Sequence, residues 1–88
     1  MGIALVCVNT FGPEVYVWLF HTVEEAKAEL NRQICDELQE QKKLGRIPDV
    51  DMEAFVHTDG LYGQLSTWER GYKGQKDTTE WRIGYVQN

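Results

Sequence analysis

An α+β fold, with an antiparallel sheet of about four strands in ββαββ order and one long helix packed on one face, follows from three observations. Glu14 to Phe20 alternates Tyr16, Trp18 and Phe20 with Val15, Val17 and Leu19, the period of a strand. Val23, Ala26, Leu30, Ile34 and Leu38 recur at the spacing of one helix face. Thr78 to Val86 alternates again, with Trp81, Ile83 and Tyr85 on one side and Arg82, Gly84 and Val86 on the other. Residues 1–88 are read as a single α+β domain, small enough to bury only roughly 60 to 65% of its extended-chain surface.

Ile3 to Val8 is apolar on both faces, which predicts a strand inside the sheet. Asn9-Thr10-Phe11-Gly12-Pro13 supplies turn chemistry, so this strand and the aromatic one form a hairpin. Thr22-Val23-Glu24-Glu25 is a capping box, with two carboxylates at the positive end of the helix dipole. The helix is expected to run from Val23 to Leu44, with Lys42 and Lys43 at its negative end and Gly45 terminating it. Its apolar stripe stops at Leu38, so the polar end should project past the sheet. Pro48 and Asp49 mark a break, and Met52 to Thr58 is read as a strand. Asp59-Gly60 and the glycines at 63, 71 and 74 predict a long irregular region, packed as a flap or holding a short element. Thr78 to Val86 closes the chain as a strand.

Composition narrows the function classes. At 42% hydrophobic and 11% aromatic residues the chain is a folded one rather than a disordered one. Its formal charge of −5 disfavours direct nucleic-acid binding, which needs a basic face, although an acidic face suits the basic groove of a nucleic-acid enzyme. Cys7 and Cys35 make no disulfide framework, and the apolar run from Ile3 to Val8 is too short for a signal core or a membrane span. A cytoplasmic protein with reduced thiols is the expectation.

No cofactor or metal motif stands out. Asp49-Val50-Asp51-Met52-Glu53 begins like a calcium loop, but Ala54 stands where the turn-forming Gly belongs and Gly60 where the bidentate Glu belongs. His21, His57, Cys7 and Cys35 lack the close pairing of structural zinc ligands. Cys7, His57 and Asp59 supply the residue types of a thiol triad, with nothing to activate a cysteine inside an aliphatic strand. Gly60-Leu61-Tyr62-Gly63 lacks the Lys and Ser/Thr of a phosphate loop.

Two candidate surfaces remain. Tyr16, Trp18, Phe20, Trp81 and Tyr85 would give the sheet an aromatic face for a partner or a second copy, and a homodimer is the first expectation. Tyr62, Trp68, Arg70, Tyr72 and Lys73, in the glycine-rich segment 60–74, would form a flap over a small anionic ligand. The leading reading is a non-enzymatic interaction protein that uses its aromatic sheet face or its acidic helix face on another protein. The ligand module is second and a thiol enzyme third. In type, a short acidic chain without an enzyme motif resembles small accessory and inhibitory proteins of phages and other mobile elements.

Overall fold

The computed structural model describes residues 2–10, 12, 14–43, 50–69 and 76–86. Its elements are β1 (Gly2–Asn9), β2 (Val15–Phe20), α1 (Val23–Lys43), β3 (Val50–Val56), β4 (Tyr62–Glu69) and β5 (Asp77–Val86). The strands form one sheet in the spatial order β2-β1-β5-β4-β3, every neighbouring pair antiparallel. The class is α+β, with one helix among the described residues, as the patterning predicts, and β1 has the expected interior place beside its hairpin partner β2.

The strand count differs from the expectation: the described residues form five strands in the order ββαβββ, not about four in ββαββ. The added strand is β4, which occupies much of the segment read as an irregular flap. Its residues hide the strand period, because Gly63 stands on the buried face and Gln64 and Ser66 stand on the other. The strand expected at Met52 to Thr58 lies two residues earlier, since the turn already begins at His57: the Gly60 amide donates to the His57 carbonyl at 2.8 Å. The expected helix stop at Leu44 and Gly45 falls outside the described residues, which end for this helix at Lys43.

The start of α1 follows its sequence logic. The Glu25 amide donates to Thr22 Oγ1 at 3.1 Å, and that hydroxyl lies 3.2 Å from the Glu25 carboxylate. Ala26, Leu30 and Ile34 are buried, with Leu38 packed beside them, against β1, β2, β4 and β5. The core holds Leu5, Cys7, Leu65 and Trp81 from the sheet. Burying a side chain such as Leu5 or Leu30 contributes about 2 to 3 kcal/mol.

Gly63 sets the depth of that packing. A Cβ there would lie 2.5 Å from Ile34 Cδ1 and 3.2 Å from Leu30 Cδ2, so the helix rests where only a glycine leaves room. Gly60 is needed for its backbone instead, since its φ of 76° closes the β3–β4 turn, where Asp59 Oδ1 accepts the Leu61 amide at 2.8 Å.

Pairing register assigns the two sheet faces. Tyr16, Trp18 and Phe20 lie on the helix-covered face with Ile3, Leu5, Cys7, Trp81, Ile83 and Tyr85. Val15, Val17 and Leu19 lie on the opposite face, in rows with Val8, Val6 and Ala4. Farther across that second face a polar chain runs from Glu80 through Tyr62, Gln64 and Ser66 to Thr78, in contacts of 3.0 to 3.1 Å. The Arg82 guanidinium lies 5.1 Å from the Tyr62 ring centre and Lys76 Nζ 5.0 Å from that of Trp68. Among the described residues, no helix is long and apolar enough to cross a membrane.

Candidate functional site: a groove between helix and sheet

Beyond the core rows, the helix-covered face of the sheet turns polar. Asn9, Asp77 and Thr79 occupy positions that would otherwise extend the apolar floor, and Asn9 Nδ2 donates to Asp77 Oδ1 at 2.9 Å and to Thr79 Oγ1 at 2.8 Å. The helix meets them with Gln33, Asp36 and Glu37 rather than with its apolar stripe. Neither wall can close by apolar packing, and a groove of about 610 Å³ remains between them.

The sheet wall of the groove is aromatic. The rings of Tyr16 and Trp18 stack with centres 6.0 Å apart, and the Tyr16 hydroxyl donates to the Glu14 carboxylate. That contact and the negative charge of Glu14 push the phenol above the ordinary tyrosine range. Trp81 lies at the bottom, 1% exposed, and its indole Nε1–H donates to Gln33 Oε1 at 2.9 Å. Cys7 sits beside it; burial raises its thiol pKa, and Glu37 acts in the same direction. A thiol held protonated in this way is the opposite of an activated nucleophile.

The groove is strongly acidic. Glu14, Asp36, Glu37 and Asp77 line it, and Arg32 is the only lysine or arginine among the described lining residues. That guanidinium is already engaged: Nε and Nη2 bind the Glu29 carboxylate, and Nη1 donates to Asp36 Oδ2 at 2.7 Å. The pair lowers the Glu29 pKa and raises that of Arg32, each charge favouring the other. Glu37 has no ion-pair partner among the described residues.

The five aromatics singled out in the sequence share one face, but they do different things. Tyr16, Trp18 and Trp81 line the groove, and Trp81 belongs to the monomer core. Phe20 packs against that core from the other end of β2. Tyr85 is exposed and borders a smaller cleft with Ile3, Val23, Lys27, Asp59, Leu61 and Ile83. The helix thus lies on the aromatic face, partly covering Trp18 and Phe20, while Tyr16 and the aliphatic residues of β2 stay exposed.

Of the flap residues, Tyr62 and Trp68 stand on β4, on the face away from the helix. Arg70, Tyr72 and Lys73 lie outside the described residues. Cys7 and His57 are not brought together: β5 and β4 lie between β1 and β3, a width of about 14 Å. His57 Nδ1 instead lies 3.4 Å from Asp59 Oδ1 within its own turn. No group of three or more potential metal ligands occurs among the described residues.

Sequence reasoning missed Asn9, Glu14, Gln33, Asp36, Glu37 and Asp77 as one constellation. A partial signal was available, because Gln33, Asp36, Glu37 and Glu40 form a polar stripe at helical spacing beside the apolar one. Comparison with protein-family models, with curated proteins and with solved structures gives no match.

Proposed function

We propose that this chain is a non-enzymatic interaction protein whose groove receives a basic side chain, arginine or lysine, from another protein. The observation that carries the reading is the pairing of an aromatic wall, Tyr16 and Trp18, with carboxylates from the helix, Asp36 and Glu37, around one groove. Aromatic faces attract cations through the ring quadrupole, and carboxylates pair with the same cation through charge-assisted hydrogen bonds. Arg32 is held by Glu29 and already pairs with Asp36, which leaves Glu37, the helix carboxylate without an ion-pair partner among the described residues, for an incoming cation. The aromatic sheet face and the acidic helix face thereby act as one surface. In this reading the chain is an acidic accessory or inhibitory protein of the mobile-element type, acting in the cytoplasm on a partner with a basic surface. Its charge of −5 would also steer such a partner toward it.

The test is an NMR titration with the peptide acetyl-Arg-Gly-Arg-amide, following the indole signals of Trp18 and Trp81. Saturable shifts are expected in the wild type and in Glu40→Lys, and their loss in Glu37→Lys. The two variants change net charge equally, but only Glu37 lines the groove. Equal weakening in both variants would reduce the effect to overall charge and sink the reading.

A further inference from the structure

We propose that two copies of this chain pair antiparallel along their β2 edges, about a twofold axis at Val17. Among the described residues the strand has a neighbour, β1, on one side only. All six of its residues, Val15 to Phe20, are uncharged and largely apolar, without proline or glycine. Its outward-facing side chains are poorly covered: Val15 is 57%, Val17 55% and Leu19 70% exposed. Such an edge leaves a row of backbone donors and acceptors ready for another strand.

The opposite edge is built differently. β3 carries Asp51 and Glu53 on the same face, and full-length self-pairing of Val50–Val56 would set Glu53 against Glu53. Carboxylates guard that edge, while β2 itself, Val15–Phe20, carries no charged residue or proline. Association through β2 alone is isologous and closes after two copies, so it makes a dimer rather than a fibre.

The strand is also complementary to itself. Opposed residues in an antiparallel pair share a sheet face, so a twofold at Val17 sets Val17 against its own copy and Val15 against the partner's Leu19. On the helix-covered face the same register sets Tyr16 against the partner's Trp18. Glu14 falls opposite the partner's Phe20, so no carboxylates meet at the seam. Centring on Trp18 instead would leave Val15 facing the partner's His21, a poorer match. The acids of β3 lie four strand spacings from the seam, about 19 Å, well beyond the screening length of about 8 Å in physiological salt. The carboxylates Glu14, Asp36 and Glu37, which line the groove together with the seam residues Tyr16 and Trp18, oppose the contact instead, so the dimer should tighten as salt is raised.

This association does not rest on the groove reading, although its seam brings together Tyr16 and Trp18, the aromatic wall of the groove, from both copies. The test is the molar mass of the purified protein by light scattering, from low micromolar to near-millimolar concentration, in reductant because Cys35 is exposed. The expected mass is twice the chain's 10.2 kDa. Val17→Lys, with its far-UV spectrum unchanged, should weaken the dimer at least about tenfold by opposing two like charges. Glu53→Lys on the other edge should leave it intact. Val15→Lys and Leu19→Glu should each weaken the dimer, and the double variant should restore it, because each introduced lysine then faces an introduced glutamate. A monomer at every concentration overturns the proposal, as does a dimer indifferent to Val17→Lys. Rescue by Val17→Lys with Leu19→Glu, and not by the first pair, overturns the register.

Discussion

The Trp81 indole and the Gln33 side-chain amide join sheet to helix at the bottom of the groove, with Nε1 donating to Oε1 over 2.9 Å. Trp81 is one of the largest fully buried side chains, and Gln33 lets its N–H be buried at low cost. This bond ties the core to the wall of the candidate site.

Gln33→Leu should therefore cost about 1 to 3 kcal/mol, the penalty of a buried donor left without an acceptor. Trp81→Ala should cost about 3 to 5 kcal/mol through lost packing and a cavity. Urea unfolding followed by far-UV circular dichroism reads both. A Trp81→Ala protein as stable as wild type would place the residue outside the core.

Gly63→Ala should destabilise by about 1 to 3 kcal/mol, because the new methyl would lie 2.5 Å from Ile34 Cδ1. Ile34→Val removes that methyl group. The double variant should be more stable than the sum of the single changes implies, and a double-mutant cycle measures this coupling. Strict additivity would show that the helix moves away freely.

Gly60→Ala acts on backbone rather than on packing. With φ at 76° an added Cβ is strained, and it would also meet the Lys27 stem at 3.1 Å. A loss of about 1 kcal/mol is expected in the same unfolding assay. Asp59→Ala should add its own smaller cost by removing the acceptor for the Leu61 amide. Unchanged stability in Gly60→Ala would mean that the turn does not need its left-handed residue.

Alkaline pH should weaken the fold in two stages. Burial raises the Cys7 thiol, and burial with the Glu80 contact raises the Tyr62 phenol. Each folded-state pKa lies above its unfolded value, so the folded protein holds these protons more tightly. The associated stability is complete below the unfolded values, about 8.5 for Cys and 10 for Tyr, and is lost as pH rises through the higher folded ones. Unfolding midpoints in reductant should fall from about pH 8.5 upward, and Cys7→Ala should flatten the first part of that decline. A wild-type profile identical to that of Cys7→Ala between pH 8 and 10 would contradict it.

Local patterning was enough for the β1–β2 hairpin, the capped helix, its buried stripe and the final strand. In each of these, a run of side chains repeats at the period of the backbone that carries it, so neighbouring residues state the element. The fourth strand was illegible for the complementary reason. Gly63 reads locally as a turn residue, yet its missing side chain answers to Ile34 and Leu30, some thirty residues away in the chain. The groove was equally hidden. Tyr16, Asp36 and Asp77 come from three elements distant in sequence, and only the packing of α1 across the sheet brings them to one surface. Long-range packing also decided which face of β2 the helix covers. Alternation makes Val15, Val17 and Leu19 as apolar as Tyr16, Trp18 and Phe20, and the choice depends on what the rest of the sheet places beside them.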